Sequence, residues 1–372
     1  MTTSPADRAR TRTGRPAPAT VVGLALLIAL GAACSTESAA APPQSTTSSS
    51  STTTTTVART TTSAPVVNAG LAPPKVPRTG AYFGAWRGPG PGRPNSNPKL
   101  NLQQAEQAIG RKYAIDHQYY QWGDPIPTAY QTWTVSQHRI PMLSLCACHF
   151  SGSVVSWARI AAGKEDAYLV SVARGFVALH SPAFFVFDAE PETNVGARGP
   201  ASDYVAAFRH VVAVFRAQKA TNVAFVWATT AFAWQPGSGE TSIVKTTYPG
   251  DAYVNWIALD PYNFDANGAW HTLSFEVDPW YSWARSAHAT KPLMLTEWGS
   301  KEDPNVPTRK AIWFRDALTA LSQKYRAVHA VVYFDERKVE HGTINDWRID
   351  TSTPSLSAFA QIAKASWFDV AS

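Results

Sequence analysis

Lys291-Pro-Leu-Met-Leu-Thr-Glu-Trp-Gly-Ser300 reads as a short buried strand that ends in a carboxylate, Glu297, beside an indole, Trp298, and a turn glycine, Gly299. Pro292 to Thr296 is apolar enough to be covered on both faces, as in a parallel sheet flanked by helices. An acid directly after such a run sits at the strand's mouth or carries a large desolvation cost. A second stretch has the same form. Phe184-Phe-Val-Phe-Asp-Ala-Glu-Pro-Glu-Thr-Asn194 runs apolar and then delivers Asp188, Glu190 and Glu192 before the chain turns. Two apolar strands, each with a carboxylate at its C-terminal end, supply what two-carboxylate chemistry at the mouth of a (β/α)8 barrel requires.

Outward from these two stretches, strand-like and helix-like segments alternate from residue 80 onward, which implies an α/β fold with a parallel sheet. The expected strands are Tyr82 to Trp86, Tyr113 to Tyr120, Ile140 to Leu145, Ala183 to Phe187, Val223 to Trp227, Trp256 to Asp260, Pro292 to Thr296 and Ala330 to Phe334. Between them, Asp203 to Arg216 has apolar residues at 204, 205, 208, 211, 212 and 215, the spacing of a helix packed on a sheet, with Ser202 placed to cap it. Leu102 to Ile109, Pro307 to Lys324 and Ser355 to Ala365 are further expected helices. Eight strands with intervening helices close into a barrel more readily than they extend, and no glycine-rich phosphate loop follows the first strand. The fold class is therefore α/β, a (β/α)8 TIM barrel.

In such a barrel all strand C-termini share one mouth, and here they are rich in rings and acids. Trp86, His117 to Trp122, Cys148-His149, Asp188 to Asn194, Trp227, Asp260 to Asn263, Glu297-Trp298 and Phe334-Asp335 all fall there. Rings stack on the apolar faces of sugars and acids bond hydroxyls, so the rim reads as a carbohydrate site, with Trp122, Asn194, Trp227 and Trp298 as substrate-binding residues. The plainer reading of aromatics such as Trp298 and Tyr262 is that they plug the core.

The N-terminus has its own logic. Arg8, Arg10, Arg12 and Arg15 precede an apolar run, Val21 to Leu30, and small residues Gly31 to Ala33, the layout of a secretory signal. Cys34 follows directly, and Leu30 to Cys34 resembles a lipobox, with ordinary cleavage and secretion as the alternative. Residues 35–76 are rich in Ser, Thr and Pro, including the unbroken Ser/Thr run from Ser45 to Thr56, and cannot build a core. The expected organisation is a signal and lipidation segment over 1–34, a tether over 35–76 and a catalytic barrel over 77–372. Of the formal net charge of +6, the four arginines against Asp7 contribute +3, so the remainder is mildly basic and gives no sign of nucleic acid as a partner. Cys146 and Cys148 are expected as two thiols, with a local disulfide next and a metal site with His149 last, since no fourth ligand is apparent.

Several segments taken together resemble glycoside hydrolase family 26, a group of retaining (β/α)8 enzymes known mostly as β-mannanases, with some β-1,3-xylanases and mixed-linkage glucanases. They are Asp203 to Val211, Ala220 to Trp227, Tyr248 to Trp256, Asp260-Pro-Tyr-Asn263, Glu297-Trp-Gly-Ser300 and Asp346-Trp-Arg-Ile-Asp350. The resemblance covers about residues 80 to 368 and implies Glu297 as nucleophile, Glu192 in Glu-Thr-Asn194 as acid/base, and Tyr262 as the hydroxyl that bonds the nucleophile. It departs from the family at Pro191, where a histidine is usual, and at Asp188, where an arginine is usual. Glu190 remains a rival acid/base. The implied activity is a retaining endo-glycosidase on a β-linked polysaccharide, β-1,4-mannan favoured, that needs no cofactor and no metal. Its partners would be the polysaccharide or oligosaccharide and, through an acylated Cys34, the membrane. The alternative is a glycan-binding protein on the same barrel, impaired by the changes at Asp188 and Pro191.

Overall fold

The strand that carries Glu297 is one stave of a closed parallel barrel in the computed structural model, which describes residues 71–88, 97–263, 270–340 and 343–370. The staves are β1 (Tyr82–Arg87), β2 (Ile115–Tyr120), β3 (Ile140–Leu145), β4 (Ala183–Phe187), β5 (Val223–Thr230), β6 (Trp256–Asp260), β8 (Leu293–Ser300) and β9 (Val328–Asp335). They pair in the order β6-β5-β4-β3-β2-β1-β9-β8, and a β6–β8 pairing closes the ring. A two-residue strand, β7 (Tyr262–Asn263), adds to the far end of β8 by setting Tyr262 opposite Gly299 and Asn263 opposite Ser300. Beyond the barrel, β10 (Arg337–Glu340) and β11 (Thr343–Asp346) form an antiparallel hairpin. All eight expected staves are present. The expected signal, Cys34 and most of the tether lie outside the described residues.

The period of two along each strand divides the core into two layers. Tyr82, Ile115, Met142, Phe184, Val186, Val226, Trp256, Met294 and Val332 fill the barrel interior, where the Phe184 and Trp256 rings meet edge to face at 5.3 Å. Their alternating neighbours face outward and pack under the helices, which is why the strands read as unbroken apolar runs. The helix Ala201–Ala217 shows the match: its Phe215 lies 5.0 Å from Phe185 and its Tyr204 stacks 6.0 Å from Phe187. Ser202 does not cap this helix. Pro200 occupies the N-cap position in extended backbone, and its carbonyl accepts from Asp203 N at 2.9 Å, which puts Ser202 inside the first turn. A last helix, α9 (Thr353–Ala363), begins two residues earlier than expected because the Ser352 side chain accepts from Ser355 N.

At the mouth, Arg87 ends β1 and pairs in register with Asp335, which ends β9. Their side chains form a buried ion pair, and Asp335 also accepts from Ile349 N at 3.1 Å, drawing in the chain that follows the hairpin. The pair thus fastens β1 to β9 where the site begins. Arg87→Leu would leave Asp335 a buried carboxylate without its cation, and the expected loss is about 3–5 kcal/mol of unfolding free energy. Urea unfolding measures it, and a loss under ~1 kcal/mol would show that the clasp does not matter.

Candidate active site

The bonding around Glu297 follows from a fault in the strand that carries it. Between Leu295, opposite Val331, and Trp298, opposite Tyr333, β8 uses three steps where β9 uses two. The extra residue is a β-bulge, which breaks the alternation and re-aims a side chain. Met294 and Thr296 face inward as expected, and Glu297 follows them inward instead of pointing to the helices. Its Oε1 accepts from the Tyr119 hydroxyl at 2.7 Å and its Oε2 from the Tyr262 hydroxyl at 2.5 Å. Burial, reinforced by the charge of Glu297, raises the pKa of both tyrosines well above the ordinary value, so both stay protonated and both donate.

Glu192 sits in a single 3-10 turn, Pro191–Asn194, after β4. Its Oε1 accepts from Thr230 N at 2.6 Å, while Oε2 is buried with no partner. Burial is the main cause that raises its pKa to about 7, against the hydrogen bonds at Thr230 that lower it. Asp260, which ends β6 facing inward, bonds the Thr296 hydroxyl and has its pKa raised well above the carboxylate range by burial, then by Glu297 and Glu190. Asp260 thus feels three other acids at the mouth, Glu190, Glu192 and Glu297. Of the four, Glu192 and Asp260 are pushed toward the protonated state.

Above Glu297 lies an aromatic collar. Trp86, Tyr262, Phe334 and Trp347 cluster there with Tyr119 against them. Tyr262 is 5.0 Å from Trp347, and Trp86 meets Tyr119 edge-on at 5.1 Å. The Trp86 indole donates to Glu336 at 2.6 Å. Under the collar, His117 bonds Ser144 at 2.7 Å and Tyr119 at 3.3 Å, and burial lowers its pKa to about 3, so the ring is neutral.

Of the residues expected from sequence, Glu192, Glu297, Tyr262 and Asn194 lie at the mouth. Asn194 donates to the Glu190 carbonyl at 3.3 Å and so braces the turn that carries Glu192. Three of the expected sugar contacts, Trp227, Trp298 and Trp122, are buried against neighbouring side chains. Trp227 shares the outward phase of Val223 and Phe225 and is fully buried, packed against Tyr248 at 5.0 Å. Trp298 is thrown outward by the bulge and stacks on Trp313 at 5.5 Å. Trp122 is only 5% exposed; its indole donates to Glu165 at 3.2 Å and its ring lies on Tyr168. Cys146 and Cys148 are joined in a disulfide, not held as the two thiols expected. Sequence analysis places Tyr119 at the rim only within His117 to Trp122, although its inward phase with Ile115 and His117 brings it to Glu297, and names Trp347 only within a motif.

Asp188 and Pro191, the two departures from the expected motif, leave the mouth unblocked. Asp188 points out of the barrel to Trp157 and Arg198, and Pro191 opens the 3-10 turn, a position where a missing N–H costs nothing.

The chain is 29% identical over 302 residues to Endoglucanase H of Acetivibrio thermocellus, a match that covers 76% of this chain and 30% of that protein's length. Among solved structures, a GH26 β-mannanase from Bacteroides ovatus superposes with a TM-score of 0.57 at 14% identity, over 78% of this chain and 90% of that one. An endo-β-1,4-mannanase from Cellulomonas fimi does so with a TM-score of 0.53 at 16% identity, over 78% of this chain and 74% of that one. No protein-family model matches the chain. At these identities the structural likeness establishes a shared barrel.

The burial of Trp227 gives a prediction about its role. Trp227→Phe should lower unfolding free energy by about 1–3 kcal/mol, as core truncations do, and leave oligosaccharide affinity within twofold of the parent. Isothermal titration with a tetrasaccharide would show a sugar contact if affinity fell tenfold.

Proposed function

We propose that the chain is a member of glycoside hydrolase family 26 and a retaining endo-β-glycosidase, with Glu297 as nucleophile and Glu192 as acid/base. The observation that carries this reading is the opposite treatment of two carboxylates on one rim. Glu297 is gripped by two hydroxyl donors, an arrangement that favours the anion, while burial lets Glu192 hold a proton near neutrality. Double displacement needs that division. Glu297 attacks the anomeric carbon, Glu192 protonates the leaving oxygen, and a water then deprotonated by Glu192 releases the sugar. Glycosylation removes the charge of Glu297, which lowers the cost of ionising Glu192 for the second step. Asp260 as a neutral acid adds no charge beside the nucleophile.

β-1,4-Mannan is the favoured substrate, in line with the mannanases that share the barrel. The likeness to an enzyme named Endoglucanase H supports β-glucan as a second reading. Secretion and tethering through an acylated Cys34 belong to the same proposal. The Cys146–Cys148 disulfide supports it, because such bonds persist in oxidising compartments outside the cytosol.

Reducing-sugar release by the full chain from β-1,4-mannan, β-1,3-xylan, mixed-linkage glucan and cellulosic β-glucan should identify one substrate, and Glu297→Ala should abolish release. Binding without release in both proteins would make this a glycan-binding protein instead. Because Glu192 acts first as an acid, kcat/KM should fall as pH rises through about 7, and Glu192→Gln should lower it by about 10²–10⁴ on unactivated substrates. A flat profile up to pH 9 would remove Glu192 from the mechanism. Tyr119→Phe should cost about tenfold or more in kcat with KM little changed, since Tyr262 still donates to Glu297.

A further inference from the structure

The turn that carries Glu192 is held in a closed loop of contacts that begins and ends on Asp188. Asp188 and Glu190 both adopt left-handed backbone, with φ of 46° and 54°, which non-glycine residues hold only when their surroundings fix them. Asp188 N donates to Leu145 O and Glu190 N to Ala228 O, each at 2.9 Å, so the two strained residues are pinned to β3 and β5. Within the turn, Thr193 N donates to Glu190 O at 3.1 Å, and Arg198 N donates to Asn194 O at 3.0 Å. The Arg198 guanidinium then returns to Asp188 in a buried ion pair. Glu192 lies at the middle of this ring.

A second loop locks the ring from outside. Asp188 Oδ1 accepts from Ala147 N at 2.9 Å, and Ala147 is the single residue between the bonded Cys146 and Cys148. Arg198 Nη2 donates to Cys146 Sγ at 3.3 Å. Trp157 completes the seat with its indole on Asp188 Oδ2 at 2.6 Å and its N–H on Arg198 O at 3.0 Å. The disulfide thus fixes the amide and the sulfur that meet both partners of the ion pair.

We propose that Asp188, Arg198 and the Cys146–Cys148 disulfide act together as a clamp that positions Glu192 for proton transfer to the leaving group, and that opening the disulfide selectively weakens this transfer. The inference rests on the reading of Glu192 as acid/base. Opening requires a dithiol reductant, which is oxidised to its own disulfide while the two sulfurs gain two electrons and two protons. None of the clamp residues is a catalytic residue; they act through the turn. Protonation by Glu192 matters for sugar or alkoxide leaving groups and little for a dinitrophenolate, which departs unaided. A loosened clamp should therefore be felt in proportion to leaving-group basicity.

The test compares kcat/KM on oligosaccharide aryl glycosides bearing dinitrophenyl and unsubstituted phenyl groups, for the full-length protein, for the protein treated with dithiothreitol, for Cys146→Ser/Cys148→Ser and for Arg198→Lys. In each altered form the dinitrophenyl-to-phenyl ratio should rise at least tenfold, with kcat affected more than KM. Reoxidation of the reduced protein should restore the parent ratio, which separates the effect from unfolding. Equal losses on both glycosides, or no loss on either, would overturn the clamp and leave the enzymatic reading standing. An inactive parent protein would overturn both.

Discussion

Four carboxylates share one desolvated rim, and they cannot all be charged. Glu190, Glu192, Asp260 and Glu297 each come from a strand end or the turn after it, and burial alone pushes Glu192 and Asp260 toward the neutral form before their mutual repulsion is added. The surrounding residues sort the charge. Tyr119 and Tyr262 donate to Glu297, Thr230 N donates to Glu192, and Asp260 bonds the Thr296 hydroxyl while its second oxygen is buried without a partner.

That sorting depends on backbone faults as much as on side-chain choice. A regular β8 would send Glu297 into the helix layer with Leu293 and Leu295, and Trp298 into the mouth. The bulge reverses the two. It also explains why Trp298 stands next to an acid in sequence while stacking on Trp313 and touching Tyr333 and Phe359 in the outer core. One residue of slip on a strand exchanges its faces, and here the slip turns Glu297 toward the mouth.

This is also the boundary of what the sequence disclosed. The eight staves were legible because each is a short apolar run bounded by turn residues, and a run buried on both faces survives any error of phase. The acids at their ends were legible because charge after such a run is costly without a purpose. Facing was not. Trp122 follows β2, and Trp227 ends the apolar run expected as a strand although β5 continues to Thr230, so nearness to the mouth is easily mistaken for exposure to it. Their orientation depends on phase, which an unbroken apolar run does not reveal. Tyr119 was hidden for the opposite reason, since it sits among His117, Gln118 and Tyr120 in a segment whose polar and aromatic residues face both ways. The Cys146–Cys148 bond depends on the loop that presents the two sulfurs, and nothing local in Cys-Ala-Cys sets that loop.

The two candidate catalytic acids are supported in different ways, and the difference suits their tasks. Glu297 stands in the bulge of β8, between a segment paired with β6 and β9 up to Leu295 and a strand that regains β9 at Trp298, so its position is set by the paired segments on either side. In the proposed mechanism the nucleophile must meet one carbon from one direction, which a fixed position favours. Glu192 stands on a turn built from two left-handed residues, a proline and a 3-10 segment, all of which need outside support to persist. In the proposed mechanism Glu192 serves a departing sugar and then an entering water, and so meets two oxygens in slightly different places. A turn can accommodate both, provided that its ends do not drift. The buried ion pair between Asp188 and Arg198 fixes those ends, so the residue that departs most from the expected motif is the one on which the turn is built.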